Sequence, residues 1–420
     1  MSNQDFSNQQ SPSINTMNTS PVSYSIRIVL CILFVFFALS PVKQAYPSEY
    51  AVPNDGSPYT NLKDVPVGGI VHVPTGIRLS SGDLIDVVSG ARVIYVGETH
   101  DNVSAHRVQL EIIRALEERF PGQISVGMEM FRRSAQTQLD AWAKGLLPSR
   151  EFKSLFHENW GPGYNLYAPI FDFLKERNVP LIGLKASRET EDHFRKDEMG
   201  DYPEMDFNDV YHRAYSMSTF GGHTEKVEKP YRMLTLWEES MARTVSDFLR
   251  NDRTGQKKLI VLAGGFHVQY GFGIPKRAFR RIAHAYSIVL PTVVEVPEEI
   301  KEGREMEIEH VSIPLYAADY LWKVDYELLP DKRIRLGVML KEEEAGLRVR
   351  GVGDDSPAQR AGIKEDDLLT EVDGKPLAVV PDLADYLQTK SSGDAVRLKL
   401  LRAGKIEEVT AILSQATPAE

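Results

Sequence analysis

Two histidines occupy matching positions in the chain. Val93-Ile94-Tyr95-Val96-Gly97-Glu98-Thr99-His100 and Leu259-Ile260-Val261-Leu262-Ala263-Gly264-Gly265-Phe266-His267 each run an apolar strand into Gly-x-x-His. An imidazole delivered there can hydrogen-bond, ligate or titrate, and the carboxyl ends of parallel strands are where open α/β sheets form their ligand crevice. Glu129 follows the apolar run Ile124–Met128 and lies between two methionines, where an unpaired carboxylate would be costly. Lys185 and Arg188 follow a further run, Pro180–Leu184. Ionisable groups at four successive strand exits converge on one sheet edge although they are far apart in sequence.

The elements that must position them alternate. Arg92–Val96 reads as a strand, and a helix begins at Asp101 with Val108, Ile112 and Leu116 at spacing four. The strand Ile124–Met128, a helix around Ala135–Ala143, a helix over Tyr167–Arg177 and the strand Pro180–Leu184 follow. Leu234–Arg250 is the longest helical stretch, leading to the strand Lys258–Ala263, another helix and the strand Ser287–Val296. This order predicts a doubly wound, mainly parallel α/β sheet with helices on both faces. Around Glu298–Met306 the chain is a charged loop, and Ile313–Tyr326 returns as an apolar, aromatic last element. The expected organisation is a leader over 1–46, an approach segment over 47–84, an α/β domain over 85–326, a linker over 327–333 and a small β domain over 334–414.

Composition narrows the functions. The 420 residues are 42% hydrophobic and 26% charged, as in globular proteins, and the net charge of -10 supplies no basic field for nucleic acid. Arg27 and the unbroken apolar run Ile28–Leu39 read as a signal sequence for export to the periplasm or cell envelope. The run is shorter than the roughly 20 residues a spanning helix needs, which favours cleavage over retention as a membrane tether. Cys31, the only cysteine, lies inside it. Removal of that segment leaves no thiol for a disulfide, a thiolate metal site or covalent haem attachment, so iron or another metal would be held by His, Tyr, Met or carboxylate.

Leu336-Gly337-Val338-Met339, Leu347–Val352, Ser356-Pro357-Ala358 through Gly362, Asp366-Asp367-Leu368-Leu369 and Val372-Asp373-Gly374 closely resemble a bacterial PDZ domain in order and spacing. Asp366 departs from the usual Gly-Asp pair. Such domains add an extended chain end to a sheet edge and capture its carboxylate on loop amides. By resemblance the loop is Leu336-Gly337-Val338 and the groove helix, with Leu383, covers about Asp382–Gln388. No Gly-Asn-Ser-Gly-Gly or His-Glu-x-x-His segment accompanies it, so neither common protease partner is present.

The first domain resembles the ChaN-like haem-binding uptake family, a relative of the Tiki and TraB proteins. The resemblance rests on Gly97-Glu98-Thr99-His100-Asp101-Asn102 with His106 and Gln109, Gly127-Met128-Glu129-Met130-Phe131, Asn159-Trp160-Gly161, Leu236–Ala242 and Gly264–Val268. Glu238 stands where an aspartate is more usual. The family implies haem bound at the surface, a tyrosine on iron and face-to-face haems shared across a homodimer. His100, His267 and Glu129 would then line the site, with one propionate on the amides that start the helix at Asp101 and a second on Arg188. The tyrosine is sought among Tyr164, Tyr167, Tyr211 and Tyr215, the last two in an insertion with His212 and His223. A second reading uses His100, His267 and Glu129 as ligands of Mn, Co or Zn, with Glu98, Glu129 or Glu238 as general base in a Tiki-like peptidase. A third makes the protein a docking scaffold acting through the PDZ domain alone.

Overall fold

The computed structural model describes residue 57 and residues 59–219, 224–294, 315–329, 334–388 and 390–415. The signal-like run, His223 and Glu298–Met306 lie outside them. Among the described residues no helix is long and apolar enough to cross a membrane.

The first domain runs β1 (Ile70–His72), β2 (Ile77–Leu79), α1 (Ser81–Val88), β3 (Val93–Glu98), α2 (Val103–Arg119), β4 (Ile124–Arg132), α3 (Gln136–Ala143), α4 (Ser149–Asn159), α5 (Tyr164–Arg177), β5 (Leu181–Lys185), α6 (Arg188–Arg195), α7 (Val210–Thr219), α8 (Thr224–Asn251), β6 (Lys258–Gly264), α9 (Ile274–Arg281), β7 (Tyr286–Thr292) and β8 (Tyr320–Lys323). The eight strands form one sheet in the order β2-β1-β8-β7-β3-β6-β4-β5. β3 lies between β7 and β6 and is parallel to both, and β4 is parallel to β6 and β5. The two Gly-x-x-His strands are therefore direct neighbours. The stretch over 47–84, expected as an approach segment, instead supplies β1 and β2, which add antiparallel to β8 at one edge.

Period-two alternation explains the layers. Ile94 and Val96 of β3 pack with Leu84, Ile112, Leu139, Phe156 and Phe171 of α1 to α5, whereas Val93 and Tyr95 pack on the other face with Met241, Val245 and Ile274 of α8 and α9. Each such fully buried aliphatic side chain contributes about 1.5–3 kcal/mol. Two elements outrun their sequence signals. α8 starts ten residues before Leu234, at Thr224, and carries Pro230 inside it, and α5 carries Pro169. Proline reads as a break in a single sequence, and here Pro169 and Pro230 lie beyond the first turn, where each removes one i→i−4 hydrogen bond that the packing of the helix must outweigh.

The second domain contains β9 (Ile334–Arg335), β10 (Val338–Glu343), β11 (Gly346–Val352), α10 (Pro357–Arg360), β12 (Leu368–Val372), β13 (Lys375–Pro376), α11 (Val380–Gln388), β14 (Ala395–Arg402), β15 (Lys405–Ile412) and β16 (Ser414–Gln415). Its antiparallel sheet runs β10-β11-β12-β14-β15, which leaves β10 at an edge. α11 meets α4 of the first domain through Arg150–Asp382 at 3.0 Å and Lys153–Asp385 at 2.5 Å.

Candidate functional site

At the end of β3, Glu98 is buried and fully bonded. Tyr167 donates its hydroxyl to Oε1 at 2.6 Å, Gln109 donates Nε2 to Oε2 at 2.7 Å, and His100 Nδ1 meets Oε1 at 2.7 Å. Burial pushes the Glu98 carboxyl up, but the bond to His100 and the charge of His106 outweigh it and hold it below the carboxylate range. Burial pulls the His100 imidazolium down, and the same Glu98 contact raises it above the ordinary histidine value. The result is an imidazole oriented by a carboxylate, partly open to solvent, with its ring edge against Trp160 at 4.9 Å.

A bulge aims the second carboxylate. Against β5, Met128 pairs with Gly183 and Arg132 with Lys185, so four steps along β4 match two along β5. Residues 129–131 absorb the difference, and the strand expected to stop at Met128 continues to Arg132. Glu129 is thereby turned toward β6, where it accepts Gly264 N–H at 2.8 Å and faces His267 Nε2 at 3.4 Å. Gly264 leaves room for the His100 ring. A Cβ there would stand 2.9 Å from His100 Nε2. The glycine is what lets the two exits approach each other.

His267 is held on both sides. Its Nδ1 lies 3.2 Å from Glu238 Oε1. Burial lowers the imidazolium, but Glu129 and Glu238 outweigh it and raise it to about 10, so both ring nitrogens carry protons at neutral pH. Glu238 in turn sits 2.8 Å from His212 Nε2 and 3.3 Å from Arg277 Nε, and it is lowered to about 2 because its contacts with His212, His267 and Arg277 outweigh its burial. Arg277 also pairs with Glu239, and its Nη2 donates to His212 Nδ1 at 3.1 Å. Sequence reasoning missed Arg277 and Glu239. The available signal was the Glu238-Glu239 doublet between Leu234, Leu236 and Met241, Ala242 on one helix, a pair of carboxylates that, once buried, demands a cation.

The four tyrosines separate. Tyr167 is buried and committed to Glu98, so it is a support and not an accessible iron ligand. Tyr164 is half-buried among Phe152, Phe156 and Phe171, and burial with nearby Asp172 and Asp385 pushes its phenol up to about 12. Tyr215 stacks on Phe266 at 4.8 Å and donates to Gln269 Oε1 at 2.8 Å. Tyr211 is 66% exposed and stacks on Phe272 at 6.5 Å, with no hydroxyl partner among the described residues. His212, from the same insertion, is buried in the ion network.

The expected anion sites also change. Val103 N donates to Glu327 O, and Ser104 N to Asn102 Oδ1, so these amides at the start of α2 are already capped, the first by the chain after β8 and the second by the N-cap side chain. Arg188 is exposed and donates to the Glu158 carbonyl. Lys185 lies between the rings of Trp160 and Trp237, 5.3 and 4.7 Å from their centroids. His100, His267 and Glu129 were the residues expected to hold Mn, Co or Zn. Among the described residues no cluster of three or more His, Cys, Asp or Glu is arranged to hold a metal ion.

In the second domain, Gly337 adopts φ +81°, and a Cβ there would meet the Ser356 Cβ at 2.2 Å. Gly337 O accepts Gly353 N–H at 2.9 Å and Leu336 O accepts Ala358 N–H at 2.8 Å, fixing the loop that enters Val338 and β10. Leu383, expected to line the groove, is buried with Leu336 and Leu387 in the core beneath it.

Residues 84–278 match the model of the family described as haem-binding uptake, Tiki superfamily, ChaN, and residues 335–413 match that of the PDZ domain. A solved structure of cofacial haem binding to ChaN of Campylobacter jejuni is 20% identical with a TM-score of 0.46, covering 60% of this chain and 95% of that one. The HtrA3 PDZ domain bound to a phage-derived ligand is 22% identical with a TM-score of 0.18, covering 19% of this chain and 85% of that one. The serine protease Do-like HtrA of Bacillus subtilis is 26% identical over 123 residues, 29% of this chain and 26% of that protein. The chain covers about a quarter or less of the curated relatives it matches. Residues 84–278 are thus a ChaN-like haem-binding domain, and residues 335–413 are a PDZ domain.

Proposed function

We propose that the first domain binds haem, that Tyr211 is its axial iron ligand, and that the PDZ domain captures a polypeptide end so that haem is handled beside a chosen partner. The observation that carries this reading is the aromatic bed formed by α7 and the turn after β6. Tyr211, Tyr215, Phe266, Tyr270 and Phe272 lie ring against ring next to His267. A porphyrin is a flat apolar disc that such rings can cover, and an exposed phenol with no partner among the described residues can become a phenolate on iron. Bound haem would supply a Lewis-acidic ferric centre; the residues named bind and orient it.

The leader Ile28–Leu39 supports export to the periplasm or envelope, and a role in haem or iron uptake follows from binding there. The edge strand β10 supports capture of an extended chain end. Titration of the purified protein with ferric haem tests the central claim. A saturable Soret shift that Tyr211→Phe abolishes or moves supports it. Stoichiometric Mn, Co or Zn on the protein with no Soret shift would restore the hydrolase reading.

A further inference from the structure

Lys185 ends β5 at the same sheet edge as His100 and Glu129, and nothing above uses it. Its ammonium lies over two indole faces, 5.3 Å from the Trp160 centroid and 4.7 Å from that of Trp237. An aromatic face attracts a cation but accepts no conventional hydrogen bond, so three N–H donors remain to be satisfied. Among the described residues Lys185 has neither a hydrogen-bond acceptor nor an ion-pair partner.

The nearby carboxylates are committed elsewhere. Glu129 is matched by His267 and by Gly264 N–H. Glu191 is matched by Arg132 at 2.8 Å and by the Trp237 indole N–H at 2.8 Å, with Arg195 at 3.5 Å. The cations His267, Arg132, Arg195 and Lys185 thus face two anions, and the unsatisfied one is Lys185. Burial holds its ammonium below the ordinary lysine value, although Glu129 and Glu191 pull the other way. Trp160 and Trp237 wall it on two sides, and Trp160 also carries the edge contact to His100. A half-buried cation held in place without an anion is a receptor for one.

We propose that Lys185 receives a carboxylate of the ligand in the first domain's crevice, positioned for it by Trp160 and Trp237. This rests on the haem reading, in which the carboxylate is a propionate. It replaces the capped start of α2 as the anion site.

The test is a thermodynamic cycle between residue and ligand charge. Wild-type protein, Lys185→Met and Lys185→Arg are each titrated with ferric haem and with its dimethyl ester, which keeps the disc and removes both charges. Affinity for haem should fall about tenfold in Lys185→Met, affinity for the ester should stay within about twofold, and Lys185→Arg should retain haem near wild-type strength. Equal losses for haem and ester would show that Lys185 only packs the tryptophans, and no loss for either would show that it touches no ligand charge. Either result overturns the proposal while the wild-type Soret titration still stands. Absence of saturable binding by the wild-type protein overturns the haem reading itself, and the Lys185 assignment falls with it.

Discussion

His267 and Glu129 face each other at 3.4 Å across the carboxyl ends of two parallel strands, with Glu238 closing the other side of the imidazole at 3.2 Å. A buried imidazolium between two carboxylates links stability to pH in a defined direction. His267 is raised from 6.5 to about 10, so its contribution is fully present below pH 6.5 and is lost as pH rises through 10. Glu238 is lowered from 4.5 to about 2, so its contribution is present above pH 4.5 and is lost as pH falls toward 2. Urea unfolding of the first domain should therefore be most resistant between these windows. His267→Gln should cost about 3–5 kcal/mol near pH 6 and flatten the decline between pH 6.5 and 10. An unchanged alkaline slope in that variant would show that the imidazolium is not the linked group.

Gly264→Ala probes the approach of the two Gly-x-x-His exits. Its Cβ would lie 2.9 Å from His100 Nε2 and 3.0 Å from Cε1, while His100 is open enough to move. The ring should swing away, releasing Glu98 from its bond to Nδ1. The expected cost is about 1–3 kcal/mol, and the His100 titration followed by NMR should fall toward the ordinary histidine value. Retention of a raised His100 value would mean that β6 shifts and the dyad stays intact.

The histidine exits, the alternation of strand and helix and the PDZ domain were legible because each is carried by local pattern: apolar runs, glycines and polar groups in order. The bulge at 129–131 was not, because Glu129-Met130-Phe131 carries no turn residue and the register change appears only against Gly183 and Lys185. Nor could sequence rank the tyrosines. Tyr167 and Tyr211 are equally plausible ligands by type, and only the acceptor 2.6 Å from Tyr167 removes one of them. Arg277 and Glu239 lie 38 residues apart, so their pairing depends on α8 and α9 packing together.

That distinction can be measured. Tyr167→Phe deletes a buried donor to Glu98 and should cost about 1–3 kcal/mol in thermal unfolding while leaving the haem spectrum in place. Tyr211→Phe removes an exposed phenol and should leave the melting temperature nearly unchanged while altering the Soret band. The reverse pattern would transfer the ligand role to Tyr167 and require its bond to Glu98 to break on binding.

Asp366 stands where PDZ sequences usually have glycine, and it adopts φ 69°. An L-residue in that region carries a steric cost of roughly 1–2 kcal/mol, which aspartate partly relieves by local hydrogen bonding. Its backbone amide is nevertheless used, donating to Val349 O at 2.9 Å, so the turn is fixed in place and the strain is not relaxed by moving. Asp366→Gly should stabilise the second domain by about 0.5–1 kcal/mol, the relieved strain being offset in part by the greater freedom glycine gives the unfolded chain. The readout is the denaturant midpoint of the second domain in the full chain. A lower midpoint would show that the aspartate side chain contributes more to this turn than its backbone angle costs.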